Sequence, residues 1–204
     1  MSAPAAPETS MTPTTANSLE TGTWRRERSC ATWMYESTLP AGAPPGETVA
    51  ACARGVLRAL PGFAAPAAAS WTTASAGDDA AIQLSAAIDD AAVAETLQAH
   101  PDVIALALDL DLHVRAPDGT TEVTIPDGAV AHIEIEDDVL VLWVSLHVDL
   151  YARRSFGPNR DNARLAELNA PRLAAFLARL VEATGVQFHN VNAPGYDATP
   201  HGFA

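Results

Sequence analysis

The chain has 204 residues, 48% of them hydrophobic, and a formal net charge of −13 at pH 7. This length can bury the core of one domain of about 180 residues, and no run of about 18 apolar residues is present to predict a membrane span. All twelve basic residues are arginines, which excludes chemistry that needs a lysine, such as pyridoxal phosphate catalysis or a Walker A phosphate loop.

The N-terminal residues are rich in Ser, Thr, Pro and Ala, and they carry neither the basic start nor the apolar stretch of a signal peptide. We therefore expect a disordered leader over 1–21, a single α+β domain over 22–192 and a C-terminal tail over 193–204, with the protein in the cytoplasm. The two cysteines, Cys30 and Cys52, lack metal-type spacing and are expected to be reduced, partly buried thiols.

Strands and helices are predicted to alternate in the first half of the domain. The expected elements are a strand over 23–39, a helix over 47–60, a loose connection over 64–70, a hairpin of 71–75 with 81–88, and a helix over 89–100. The first helix should stop at Pro61-Gly62, and Asp89 or Asp90 should cap the second helix.

The clearest pattern is a period-two alternation of apolar and polar residues over about 103–151, which predicts a four-stranded antiparallel meander. Its expected strands are 103–114, 121–125, 132–136 and 139–151. The turns between them are expected at Pro117-Asp118-Gly119, Asp127-Gly128 and Asp137-Asp138. The alternation places Leu, Ile and Val side chains on one face of the sheet and Asp, Glu and His side chains on the other.

A last helix is predicted to begin at Asn169 with Pro171 in its first turn and to end at Gly185, before a final strand over 186–191. Amphipathic helices can then cover the apolar face of the sheet. The expected architecture is a two-layer α+β sandwich with a mostly antiparallel sheet whose second, acidic face is open.

Negative charge is concentrated in one part of the chain. Residues 70–150 carry sixteen acidic residues and one arginine, whereas the rest of the chain carries nine acidic residues and eleven arginines. An acidic face repels the phosphates of nucleic acids and of anionic lipids, and it attracts cations or a basic protein. We therefore expect a basic protein partner, and neither nucleic acid nor a membrane.

The candidate partner-binding residues are the carboxylates expected on the open face and the two aromatic side chains among them. They are Asp109, Asp111, Glu134, Glu136, Trp143, Asp149 and Tyr151.

Histidines on the same face offer a different interpretation, because imidazole and carboxylate are ligands of zinc and iron. The candidate ligands are His113 and His132. The expected register places His113 opposite Thr124, Thr124 opposite His132, and His132 opposite Trp143. The two histidines would then lie two strands, or about 9.5 Å, apart, so their side chains would have to lean together to share a metal.

These observations favour a non-enzymatic protein without a cofactor that binds a basic partner. By charge and size alone, an immunity or inhibitor protein that neutralises a toxin is an example. Two alternatives stay open: a metal-dependent or acid–base enzyme that uses the His and carboxylate groups of the open face, and a structural accessory protein that forms oligomers.

Overall fold

The structure is a computed structural model that describes residues 26–39, 42–75, 82–84, 88–153 and 162–204. The predicted leader over 1–21 lies outside these residues. The elements in chain order are β1 (Arg26–Thr38), α1 (Pro45–Ala59), β2 (Ala64–Thr73), β3 (Ile82–Leu84), α2 (Asp90–Ala99), β4 (Val103–Arg115), β5 (Glu122–Glu136), β6 (Val139–Val148), α3 (Ala163–Thr184), β7 (Gln187–Asn192), β8 (Ala198–Thr199) and β9 (Gly202–Phe203).

A seven-stranded sheet with the order β3-β2-β4-β5-β6-β1-β7 forms one layer of the fold. Its neighbouring strands are antiparallel. The second layer is helical: α1 packs on β4 and β5, and it also contacts α2 and α3. The predicted fold class, a two-layer α+β sandwich with a mostly antiparallel sheet, is confirmed.

The core lies between the helices and one face of the sheet. The leucines that alternate along β4 are completely buried there, as the period-two pattern predicts. Buried residues that pair across neighbouring strands extend the core from one strand to the next. One such row of paired residues is Trp71–Leu106–Ile133–Leu142–Tyr35. Burying each such large side chain stabilises the fold by roughly 1.5–3 kcal/mol.

The meander has three strands instead of the predicted four, because β5 continues through the segment expected to form its second turn. Leu112 pairs with Ile125 and Leu110 pairs with Ala129, so three residues of β5 bulge opposite Asp111. Gly128 is required in this bulge, since an added Cβ would lie 2.5 Å from a Cδ atom of Leu112. The other expected turn, at Asp137-Asp138, is confirmed, and both residues have positive φ (43° and 68°), as a type I′ turn requires.

The segment 64–70, expected to be a loose connection, belongs to β2, which pairs with β4. Pro66 is tolerated because a register shift follows it, and proline suits positions where the strand ladder is interrupted. Alanine favours strands weakly, so pairing with the leucine-rich β4 outweighs local preference. The predicted hairpin of β2 with β3 forms over 69–71 and 82–84, and its tip lies outside the described residues.

The last helix begins earlier than predicted. α3 is continuous over 22 residues, and Asn169 and Pro171 lie inside it instead of at its start. Asn169 is completely buried and fixes the end of β4 to the helix. Its Oδ1 accepts a hydrogen bond from the backbone N–H of Arg115 (2.7 Å), and its Nδ2 donates to the carbonyls of Arg115 (3.0 Å) and Leu165 (2.9 Å). Gly185 ends the helix with φ 74°, as predicted.

The segment 193–204, expected to be a tail, folds against the domain as the β8–β9 hairpin. The Trp33 indole donates a hydrogen bond to the carbonyl of Thr199 (2.8 Å), and the Phe203 ring packs edge-on against Trp33 at 5.6 Å. These contacts close one end of the core.

Both cysteines are buried thiols, and their burial is more complete than the partial burial predicted. Burial raises the pKa of the Cys52 thiol to about 12, which disfavours the thiolate form. Within the described residues, no helix combines the length and the apolar character needed to cross a membrane.

The Asn169→Ala variant is expected to lower the free energy of unfolding by about 2–4 kcal/mol, because it removes the partners of several backbone groups at once. Urea denaturation monitored by circular dichroism measures this change. The matched control is Asn190→Ala, whose exposed side chain accepts a hydrogen bond from the N–H of the next residue. A loss for Asn169→Ala no larger than that of the control would contradict the role of Asn169.

Candidate functional site

The face of the sheet that points away from the helices is here called the open face. Its central row crosses five strands through residues with polar or partly exposed side chains. The row is Ser70–Ala107–His132–Trp143–Met34. Hydroxyl groups on the next row bond to each other, with the Oγ1 of Thr32 and the Oγ of Ser145 2.8 Å apart. The open face is therefore a surface of mixed chemistry instead of a second core.

Trp143 lies near the centre of the open face. The other described tryptophans, Trp33 and Trp71, are completely buried in the core, whereas Trp143 is partly exposed. Its ring centroid lies 5.2 Å from that of His132, and the Nε2 of His132 lies 3.2 Å from a carboxylate oxygen of Glu134. The indole, the imidazole and the carboxylate thus form a connected group on the surface.

One set of carboxylates, the bulge cluster, consists of Asp109, Asp111 and Asp127. The bulge of β5 brings Asp127 beside β4, where its backbone N–H donates to the Oδ1 of Asp111 (3.0 Å). Desolvation and the Asp127 carboxylate raise the pKa of Asp109, and His147 opposes this effect. The Nδ1 of His147 lies 2.9 Å from the carbonyl oxygen of Asp127. The fold therefore holds like charges close together at this end of the open face.

A second set of carboxylates, the turn cluster, lies at the other end of the open face, near the β5–β6 turn. Glu134 and Glu136 belong to β5, and Glu36 belongs to β1. Glu134 and Glu36 are both opposite Val141 of β6, one on each side. The open face thus has carboxylates at both ends and Trp143 between them.

Five of the candidate partner-binding residues lie on the open face as expected: Asp109, Asp111, Glu134, Glu136 and Trp143.

The other two candidates, Asp149 and Tyr151, are not available to a partner. Both are buried in the described structure, because β6 ends at Val148 and the chain then turns, which breaks the alternation. The Tyr151 ring lies 6.0 Å from that of Phe63, and burial raises the pKa of its phenol. Their expected position on the open face was wrong.

The two candidate metal ligands, His113 and His132, lie far apart. His113 is opposite Thr124, and His132 is opposite Trp143, both as expected. However, Thr124 and His132 belong to the same strand, eight residues apart, because the predicted turn between them is a bulge. Each histidine has its own carboxylate neighbour, which for His113 is Glu122 at 3.9 Å. The described residues contain no group of three or more His, Cys, Asp or Glu side chains placed to hold a metal ion.

Three residues of β1 also contribute to the open face and were not among the candidates. Met34 is opposite Trp143 and Glu36 is opposite Val141, while the Arg26 guanidinium donates to the carbonyl of Pro126 beside the bulge. The alternation of Met34 and Glu36 with buried Trp33 and Tyr35 indicates which face they occupy. It does not indicate that β1 pairs with β6, so the sequence could not place them near Trp143.

Comparison of the chain with protein-family models, with curated proteins and with solved structures found no match.

The raised pKa of Asp109 predicts that the folded protein is less stable when this carboxylate is ionised. Asp109→Asn is therefore expected to raise the free energy of unfolding at pH 7, by less than about 1 kcal/mol because the side chain is largely exposed. The difference in free energy of unfolding between Asp109→Asn and the wild type should decrease as the pH falls through the raised pKa of Asp109. It should vanish below about 3.9, the ordinary pKa of aspartate.

Thermal denaturation of both proteins from pH 3 to pH 7 measures this difference. Glu95→Gln, an exposed site in the helical layer, is the control for loss of one charge. A lower stability of Asp109→Asn than of the wild type at pH 7 would show that Asp109 is not under electrostatic strain.

Proposed function

We propose that the protein is a non-enzymatic binding protein whose open face docks a basic surface of a partner protein. The observation that carries this proposal is the arrangement of the open face, where a partly exposed tryptophan lies between two clusters of carboxylates. Of the candidate residues, Asp109, Asp111, Glu134 and Glu136 supply charge and Trp143 supplies the anchor.

Electrostatics support a basic partner. The chain has a net charge of −13, and the bulge cluster keeps Asp109 and Asp127 close enough for one to raise the pKa of the other. Repulsion between like charges lowers the stability of a folded protein. Where an open surface keeps such repulsion, this is typical of a binding site. A cationic partner would relieve the repulsion on binding.

The spread of polar groups over the open face also favours binding over catalysis. The imidazole and carboxylate groups that an enzyme could use are distributed along the strands: His113 pairs with Thr124 of β5, which is eight residues from His132 on the same strand. Partner proteins are recognised through central aromatic anchors surrounded by a polar rim. An immunity or inhibitor protein that neutralises a basic toxin is one member of this class.

The partner can be identified by affinity capture from the native host at low salt with three forms of the protein. The first is the wild type, and the second is Asp109→Arg with Asp111→Arg. The third, Glu95→Arg with Glu182→Arg, makes the same change of charge at exposed positions of the helical layer. A basic protein that binds the first and third forms and not the second supports docking on the open face.

With the captured partner, the Asp109→Arg, Asp111→Arg variant is expected to associate at least about tenfold more slowly at low ionic strength and to show a weaker dependence on salt. Stopped-flow or surface plasmon resonance measurements give the rates. Asp109→Asn with Asp111→Asn is the milder variant if charge reversal impairs folding. Equal slowing by the helical-layer variant would mean that only net charge matters, and it would refute a docking site on the open face.

A further inference from the structure

A cavity of about 470 Å³, here called the edge cavity, lies at the edge of the sheet where β7 begins. The pairing of β1 with β7 stops at Glu36 and Gln187, whereas β1 continues to Thr38 and pairs with β6 as far as Val139. β1 therefore extends beyond its outer neighbour, and all four of these residues line the edge cavity at this step. Cavities of about 300–1,000 Å³ are typical of sites for small ligands.

One carboxylate in the wall of the edge cavity is held by a histidine. The Nδ1 of His189 lies 3.1 Å from the Oε2 of Glu36, and both residues line the edge cavity. A carboxylate has two oxygens and accepts several hydrogen bonds. The side chain of Glu36 is 38% exposed, so its carboxylate is oriented by His189 and still accepts a hydrogen bond from a ligand.

Uncharged polar side chains complete the wall. The hydroxyls of Ser37 and Thr38 and the amide of Gln187 line the edge cavity, and none of these side chains has a hydrogen-bond partner among the described residues. Each of these groups has an oxygen that accepts a hydrogen bond. A ligand in the edge cavity therefore meets several free acceptors in addition to the carboxylate of Glu36.

The end of α3 adds negative potential. Gly185 caps the C-terminus of this helix and lines the edge cavity, and the C-terminal end of a helix carries a partial negative charge. The last turn of α3 contains no basic residue. Arg58 of α1 donates to the carbonyl of Ala183 (3.3 Å), but no arginine is among the described residues that line the edge cavity. The edge cavity therefore disfavours anions and favours a cation.

The chemistry of the wall selects the type of cation. An ammonium group has three N–H donors and no acceptor, which matches a wall that offers a carboxylate and free hydroxyl and amide oxygens. The wall also has an apolar part, formed by Val139 and by Phe188, whose side chain is 37% exposed. An aromatic ring next to a cation adds attraction, and both side chains can contact the hydrocarbon part of a ligand.

We propose that the edge cavity is a binding site for the ammonium group of a primary amine. The ammonium donates to Glu36 and to the hydroxyls of β1, and the hydrocarbon part of the amine lies against Phe188 and Val139. This site goes beyond the proposed function and does not depend on it, because none of the residues proposed for docking lines the edge cavity.

Titration of the isotope-labelled full chain with small probes, followed by NMR at physiological salt, tests this site. The probes are phenethylamine, its neutral analogue phenethyl alcohol and the anion hydrocinnamate. Phenethylamine is expected to shift the amide resonances of residues 36–38 and 185–189 with a dissociation constant of about 1 mM or lower. Phenethyl alcohol should bind at least about fivefold more weakly because it lacks the charge, and hydrocinnamate should not shift these resonances.

Two matched variants separate the edge cavity from general attraction to an acidic protein. Glu36→Gln is expected to weaken phenethylamine binding at least about fivefold. Glu134→Gln is the control, because Glu134 is 35% exposed and bonded to His132 at 3.2 Å, but it does not line the edge cavity. It removes the same charge and should weaken binding less than about twofold.

A third variant, Ser37→Ala with Thr38→Val, removes the two hydroxyls and keeps the net charge. It is expected to weaken phenethylamine about threefold, since neutral hydrogen bonds contribute less than charged ones. Circular dichroism checks the fold of each variant. A further probe, Nα-acetyl-lysine amide, distinguishes the source of the ammonium. Tighter binding than that of phenethylamine assigns a lysine side chain of a protein, and weaker binding assigns a free amine; both support an ammonium site.

Three results would overturn the ammonium site. They are equal affinity for phenethylamine and phenethyl alcohol, amide shifts that do not include the edge cavity, and equal weakening by Glu36→Gln and Glu134→Gln, which would leave only the net charge of the protein as the cause. A failure of the proposed function is a different result, because it appears as capture of the same partner by the Asp109→Arg, Asp111→Arg variant.

Discussion

Burial of one face of the sheet is the interaction on which the rest of the structure depends. Leu106, Leu108, Leu110 and Leu112 of β4 all lie in the core beneath the helices, and each large side chain buried there contributes roughly 1.5–3 kcal/mol. Side chains alternate strictly along a strand, so burying these leucines also fixes the direction of the residues between them. Asp109 and Asp111 are held on the open face by the packing of their neighbours.

On the open face, the fold holds carboxylates close together although their mutual repulsion is unfavourable. The bulge of β5 brings Asp127 close to Asp109 and Asp111, and the pKa of Asp109 rises in response. At the other end, histidines orient Glu134 and Glu36 on either side of Val141. The core supplies the stability that permits this concentration of charge, and Trp143 adds apolar surface at its centre. This combination is the physical basis for proposing a basic partner.

Much of the local structure could be predicted from alternation, caps and turn residues. The α+β class, the pairs His113–Thr124 and His132–Trp143, and the helix end at Gly185 are all present. The turn predicted at Asp127-Gly128 was wrong for a specific reason. The register of β5 on β4 shifts by two residues at this point, and an even shift leaves the same residues facing the core. A turn and a bulge therefore produce the same hydrophobic pattern, and only pairing with β4 distinguishes them.

The sequence by itself determined which side chains of each strand are buried and that the opposite face is acidic, because both follow from a period of two along the backbone. Only the tertiary structure decided which strands from distant parts of the chain are neighbours. Placing β1 between β6 and β7 brings Met34 and Glu36 beside Trp143, and ending β6 at Val148 buries Asp149 and Tyr151. Backbone hydrogen-bonding groups are alike in every strand, so local periodicity carries no information about pairing between distant segments.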